Sequence, residues 1–306
     1  MKSKDFLSMT DWTRGELDEA LQLAIKMKAE WSTEGDHEWK PLRGKTIGCI
    51  FHKPSLRTRI SFETGIYELG GYSLYITEKE IELGKRETIE DAARVLTRYL
   101  GGIVIRTFSQ NDIVKLAQWA DVPVINALTD LLHPCQLMAD LQTILEHKGT
   151  IDGLKIAYLG DGNNMANSWI EAANRWAIDL RIGTSPDTLP DVAITEKARR
   201  EGPGTVTITH DPVTAVQDCD VVYTDVWASM GAKDKADINA NRLQAFQVNT
   251  KLMSYAKSDA IVMHCLPAER GREITDEVIE SKQSVVFDEA ENRLHAQKAI
   301  LAILAG

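Results

Sequence analysis

The sequence predicts an α/β protein built from two parallel-sheet lobes facing each other across a cleft. Short apolar runs alternate with helical patterns almost from end to end, the signature of parallel strands joined by crossover helices. The runs fall into two sets, residues 1–149 and 150–287, each of the size of an ordinary domain. No internal repeat or low-complexity tract interrupts the alternation.

Taken in order, the first set places strands at residues 46–51 (TIGCIF), 72–76 (YSLYI), 103–107 (IVIRT) and 122–127 (VPVINA). Helices between them have readable starts, since Thr88 and Ser109 each have an aspartate three residues on, Asp91 and Asp112, in capping-box spacing. A helix over 134–148, stopped by Gly149, closes the set. The second set places strands at 154–160 (LKIAYLG), 179–185 (DLRIGTS), 205–210 (TVTITH), 221–226 (VVYTDV) and 260–265 (AIVMHC), with helices between. The best-patterned helix in the chain, 288–305, comes last.

Composition narrows the function. The 306 residues are 43% hydrophobic and 26% charged, which is globular protein, and 35 Lys plus Arg against 45 Asp plus Glu give a net charge of −10. With no basic block or aromatic-rich basic stripe, a nucleic-acid surface is not expected. No apolar run reaches the ~18 residues of a membrane span, and the N-terminus has no apolar signal core. A soluble, cytoplasmic protein is expected. The four cysteines, Cys49, Cys135, Cys219 and Cys265, lie far apart with no CxxC pair, against both a zinc site and a disulfide framework.

Ligands of parallel sheets bind beyond the carboxyl ends of the strands, so the chemistry is sought in the loops. In FHKPSLRTRISFETG (51–65) a strand gives way to a helix starting near Ser55. Free backbone N–H groups, the Ser55 and Thr58 hydroxyls and one guanidinium converge there as a phosphate site, or else the stretch is a capped surface helix with solvated arginines. Arg57 and Arg59 stand about 200° apart around a helix, so one binds and the other braces. Arg106 ends the third strand, either toward a ligand or as a surface charge. Pro134 suits the first position of a helix, so His133 and Gln136 project from one helix start, as a capping turn or as donor to a carbonyl and acceptor from an amide. GDGNNMANS (160–168) lacks the third glycine of a dinucleotide fingerprint; Asn163 and Asn164 at a helix start suit the carboxylate of a zwitterion instead. Asp225 ends a strand and can hold an ammonium, and the charged loop that follows could close as a lid. In HCLP (264–267), Cys265 reads as an inert thiol whose backbone and sulfur line a pocket.

SLRTR, the Arg106 strand end, HPCQ, DGNNMANS, DVWASMG, HCLP and the final FDEAENRLHAQKA, in this order, resemble the aspartate/ornithine carbamoyltransferase family and, within it, the ornithine branch. The resemblance runs from about Phe6 to the end. It implies a first lobe, completed by the returning C-terminal helix 288–306, that binds carbamoyl phosphate, and a second lobe that binds L-ornithine. Ser55, Leu56, Arg57, Thr58 and Arg106 would hold the phosphate, and Thr58, Arg106 and His133 would polarise the carbonyl. Gln136, Cys265 and Leu266 would read the carbamoyl amide, with Arg293 completing the site. Asn164, Asp225, Ser229 and Met230 would hold ornithine. Arg106, His133 and Cys265 form the implied catalytic set. The implied reaction gives L-citrulline and phosphate in arginine biosynthesis, with no metal and no cofactor, in a homotrimer with active sites at subunit interfaces.

One departure stands out: the ornithine branch usually has glutamine where this chain has Glu82, a position that reaches the neighbouring subunit's phosphate site. Either Glu82 turns away, or Lys53, Lys85 or Arg86 neutralises it, or the preferred substrate differs. Intact HCLP and SMG favour ornithine over the aspartate branch. A carbamoyltransferase for putrescine or N-acylornithine, and a non-catalytic ligand-binding paralogue, are the alternatives; Arg57, Arg106 and Arg293, whose loss would mark the latter, are present.

Overall fold

The computed structural model describes residues 3–227 and 233–306, with the side chains of 233–237 left aside. The chain divides into two compact units, Met1–Gln142 with Glu291–Gly306, and Thr143–Ala290.

The first unit opens with α1 (Arg14–Glu34), a helix additional to those expected from the strand alternation. Its signals were present: the Thr13 hydroxyl accepts the Glu16 N–H while Glu16 reaches back, and Gly35 closes the helix at φ +67°. Strands β1 (Thr46–Phe51), β2 (Tyr72–Thr77), β3 (Gly102–Arg106) and β4 (Val124–Leu128) form one all-parallel sheet in the order β2-β1-β3-β4. Between them lie α2 (Leu56–Glu68), α3 (Glu78–Ile81), α4 (Ile89–Leu96) and α5 (Gln110–Trp119), followed by α6 (Pro134–Lys148). Thr88 and Ser109 accept the N–H groups of Asp91 and Asp112, as the spacing predicts. Ile50, Ile103 and Ile105 of the sheet pack with Ile89, Ile113 and Leu116 of α4 and α5 into one core. Each such side chain contributes about 1.5–3 kcal/mol on full burial.

The second unit holds β5 (Lys155–Leu159), β6 (Asp179–Gly183), β7 (Thr205–Thr209), β8 (Val221–Thr224) and β9 (Ile261–His264), all parallel, in the order β7-β6-β5-β8-β9. Its helices are α7 (Asn164–Ala173), α8 (Val192–Glu201), α9 (Pro212–Val216), α10 (Lys233–Leu243), α11 (Thr250–Met253) and α12 (Asp276–Ile279). The last helix, α13 (Val286–Ala305), starts two residues earlier than the sequence pattern places it, and from Glu291 onward it belongs to the first unit. There it lies against α2 so closely that a Cβ on Gly65 would sit 3.1 Å from Lys298 Cγ.

The strand orders say where ligands bind. In the first sheet the chain goes from β1 out to β2 and then crosses to β3 on the other side of β1; in the second it goes from β5 out through β6 and β7 and returns to β8 on the other side of β5. The crevices beyond the carboxyl ends of β1 and β3, and of β5 and β8, are therefore the topological switch points where open parallel sheets bind ligands.

Candidate functional sites at the two switch points

At the first switch point, Phe51 and Arg106 are paired neighbours at the ends of β1 and β3. A register shift between Ile105 and Arg106 against β4 turns the end of β3, as bulges near binding sites do. Ser55 caps α2, and its hydroxyl takes the Thr58 N–H at 3.4 Å and donates to Thr58 Oγ1 at 3.0 Å. Arg293 Nη2, from α13, donates to the same Thr58 oxygen at 2.6 Å. Thr58 thus accepts from two donors, which leaves its own hydroxyl hydrogen to donate.

Arg106, His133, Gln136 and Arg293 are all buried in this unit. Burial first, then the Arg293 and Arg106 guanidiniums, hold the His133 imidazole well below its usual pKa, so it is neutral. Gln136 Nε2 donates to the buried Asp140 Oδ1 at 2.8 Å. Two buried cations beside a neutral imidazole gather positive charge suited to an anion.

The two arginines of SLRTR separate as their spacing requires. Arg59 Nε meets Glu63 Oε1 at 3.0 Å, and its guanidinium lies 3.8 Å above the Tyr75 ring. Among the described residues no hydrogen bond or ion pair engages the half-buried Arg57 side chain. Leu56, the first residue of α2, is 70% exposed.

The depressed histidines have a measurable consequence. His133 lies well below its ordinary value, and burial with nearby Lys298 pushes His295 down to about 3. A histidine whose folded pKa is depressed binds its proton more readily when unfolded, so stability rises with pH through that window and is lost as pH falls below the unfolded value near ~6.5. Urea denaturation should show stability falling from pH 7 toward pH 5, by up to about 1.4 kcal/mol per pH unit for each such histidine. A flat profile would contradict the buried neutral imidazoles.

At the second switch point, Leu159 and Thr224 pair at the ends of β5 and β8. Gly162 runs against the 188–190 backbone: its N–H donates to Thr188 O at 2.8 Å, and a Cβ there would lie 2.3 Å from Leu189 C and Pro190 N. Only glycine fits. Asn163 caps α7, its Oδ1 accepting the N–H groups of Met165 and Ala166 and the Tyr158 hydroxyl at 3.0 Å, while its Nδ2 donates to Asp225 Oδ2 at 2.8 Å. Burial, with Asp225, Asp161 and Cys265 nearby, raises the Tyr158 pKa and keeps the phenol a donor. The 7%-exposed Asp225 also receives the Val226 N–H at 2.8 Å and the Cys265 Sγ–H at 3.0 Å. Its carboxylate is thereby oriented at both oxygens.

The structure corrects two expectations. Asn163, read together with Asn164 as a carboxylate ligand, is committed to capping and to Asp225, which leaves half-buried Asn164 as the ligand candidate. Lys53 pairs with Asp130 rather than Glu82, and Lys85 is held first by Glu78 at 2.9 Å, with Glu82 acting on it only as a weaker neighbouring charge. Glu82 itself is exposed, at the left-handed C-cap of α3 with φ +40°. Ser229, Met230 and the core of the loop expected to close lie outside the described residues.

Among the described residues, one set of possible metal donors gathers, Asp225, His264 and Cys265, with ligand atoms within 4.8 Å of one another. Both imidazole nitrogens are already engaged, Nδ1 by the Leu266 N–H at 2.9 Å and Nε2 by Glu273 Oε1 at 3.0 Å, so the trio does not fit a resident ion. Tyr158, Asn163 as a brace, and Glu273 were not found from sequence; only the Asn163 cap had a local signal. No helix of the described residues is long and apolar enough to cross a membrane.

Comparison with known proteins agrees along the chain. Residues 4–146 match the aspartate/ornithine carbamoyltransferase carbamoyl-P binding domain, and residues 152–304 match the Asp/Orn binding domain of the same family. The ornithine carbamoyltransferase of Thermococcus kodakarensis is 50% identical, covering 100% of this chain and 98% of its own. That of Pelobacter propionicus is 51% identical over 99% of each. The solved ornithine carbamoyltransferase from Pyrococcus furiosus superposes with a TM-score of 0.94 at 47% identity, covering 99% of this chain and 97% of its own.

Proposed function

Because the chain belongs to the aspartate/ornithine carbamoyltransferase family, we propose that it transfers the carbamoyl group of carbamoyl phosphate to the δ-amine of L-ornithine, giving L-citrulline and phosphate. The observation that carries this reading is the pairing of two kinds of switch point. One lies beside buried arginines and a neutral histidine, and the other presents an oriented carboxylate.

Carbamoyl phosphate is an activated mixed anhydride, so the reaction calls for a polarised carbonyl, a stabilised leaving phosphate and a neutral amine. We assign the phosphate to Ser55, Leu56, Arg57, Thr58 and Arg106, through the helix start, the hydroxyls and the guanidiniums. Thr58, Arg106 and His133 are assigned to the carbonyl oxygen, which becomes the oxyanion of the tetrahedral intermediate. A neutral His133 donates one N–H without adding charge. Gln136, Arg293, Cys265 and Leu266 are assigned to the rest of the carbamoyl group. Ornithine falls to Asn164 and Asp225, and to Ser229 and Met230. An alkyl amine has an ordinary pKa near ~10.4, so the δ-ammonium must lose one proton through desolvation before attack; the second proton, carried by the nitrogen once it has bonded to the carbonyl carbon, passes to the departing phosphate.

The test is direct. The purified protein, offered carbamoyl phosphate with ornithine, putrescine, N-acetylornithine or aspartate, should make citrulline from ornithine faster than it carbamoylates any of the others. A preference for another amine would overturn the assignment. Asp225→Asn should weaken ornithine binding far more than carbamoyl phosphate binding, because a charge-assisted contact becomes a neutral one; calorimetry on enzyme preloaded with carbamoyl phosphate reads this. We further assign a homotrimer in the cytoplasm, with Glu82 directed toward the neighbouring subunit's site, and sedimentation tests the oligomer.

A further inference from the structure

We infer that Glu273 is a positioning residue for the carbamoyl end of the site: through His264 it holds the backbone of the Cys265–Leu266 turn. This rests on the proposed function only for the identity of the ligand.

His264 ends β9, and its imidazole is completely buried. The Leu266 N–H donates to Nδ1 at 2.9 Å, so Nδ1 must carry a lone pair. The proton of the neutral ring therefore sits on Nε2, which faces Glu273 Oε1 at 3.0 Å. That same oxygen takes the Glu269 N–H at 2.5 Å, so the backbone just beyond the turn fixes the carboxylate in its place. Glu273 is 0% exposed, and its Oε2 has no hydrogen-bond partner among the described residues. All of its hydrogen bonding is thus concentrated on one oxygen. The His264 backbone N–H is in turn held by Glu289 Oε2 at 2.8 Å.

What this chain of contacts maintains is Leu266 at φ +54°, a left-handed conformation that a leucine rarely adopts unless its surroundings enforce it. The opposite tautomer would set the Nδ1 hydrogen against the Leu266 N–H and leave Glu273 Oε1 facing a lone pair. A carboxylate, which only accepts, excludes that tautomer. The turn that would read the carbamoyl amide is therefore set by a residue that need not touch the substrate.

The experiment compares the full-length parent with Glu273→Gln, which keeps an accepting oxygen, and Glu273→Met, which fills the volume without one. Nitrogen NMR of the histidine rings, with His264→Asn to identify the resonances, is expected to show the Nε2–H tautomer in the parent and the Gln variant and loss of that single tautomer in the Met variant. Carbamoyl phosphate affinity, measured calorimetrically, should be close to the parent's in the Gln variant and weaker by about 10–100-fold in the Met variant, the range seen when a group that orients a ligand-bearing residue is removed. Parent-like affinity and tautomer in the Met variant, or equal losses in both variants, would overturn the inference. Should the Met variant not fold, His264→Asn decides: lacking the link to Glu273 it should also lose affinity, and parent-like binding would refute the role. A parent that binds no carbamoyl phosphate would defeat the functional reading, while the tautomer measurement would still judge the Glu273–His264 link.

Discussion

Arg57→Ala is expected to lower citrulline formation by roughly 10²–10³-fold, the loss that follows removal of one transition-state donor, while Arg59→Ala lowers it far less. The two side chains differ by two positions on α2 and so point to nearly opposite sides of it. Thr58 sits between them on the buried face, where it meets Arg293 at 2.6 Å. Arg59 is committed: Glu63 takes its Nε–H and Tyr75 takes its face, a stacked arrangement that braces α2 on β2. Arg57 has no such engagement among the described residues and flanks the Ser55 cap. Of the two, it is the one whose charge the proposed function assigns, with that of Arg106, to a phosphate that gains negative charge as the carbamoyl bond breaks. Steady-state kinetics on both variants, with circular dichroism to confirm folding, checks this. Equal losses in kcat would place the phosphate elsewhere.

Lys298→Met is expected to destabilise the protein by about 3–5 kcal/mol, the loss typical when one member of a buried ion pair is removed. Lys298 lies on α13 and is 0% exposed, with Nζ 2.5 Å from Glu68 Oε2 and 2.8 Å from His37 Nε2. His37 Nδ1 continues the chain to Glu30 Oε2 at 2.8 Å, and the ammonium also lies 5.1 Å from the centre of the Trp31 ring. Methionine fills the space but strands the Glu68 carboxylate, only 4% exposed, without its counter-ion. The penalty is that of an uncompensated buried charge rather than of the pair itself, so adding Glu68→Leu should recover most of the loss. Urea denaturation of the single and double variants distinguishes the cases. A single-variant loss below about 1 kcal/mol, or a double variant no better than the single, would contradict this account.

Much of the fold was legible because its signals are local. Strands covered on both faces read as unbroken apolar runs such as TIGCIF and VVYT. Helix starts announce themselves through a hydroxyl or carboxamide one residue outside the first turn, as at Ser55, Thr88 and Ser109. The misses are instructive on the same ground. Helix α1 carries a complete capping box and a closing glycine, but its amphipathic pattern is too modest to mark it from periodicity. Asn163 and Asn164 were treated as a pair because sequence places a helix boundary only to within a residue or two, and that single residue separates a cap from a ligand.

By itself, then, the sequence determined the two sets of strands and helices, the capped helix start at Ser55 and the order of motifs that marks the family. These depend on residues within a few positions of one another, whose geometry the backbone dictates wherever they lie. Strand order, and with it the placing of the Ser55 and Asp225 loops at switch points, was decided only by the tertiary structure. So were the contact of Arg293 with Thr58, 235 residues away, the bracing of Asp225 by Asn163 and Cys265, and the burial that neutralises His133. The physical reason is that hydrogen bonds and desolvation act over a few ångströms of space, and only the packed chain decides which distant residues share them.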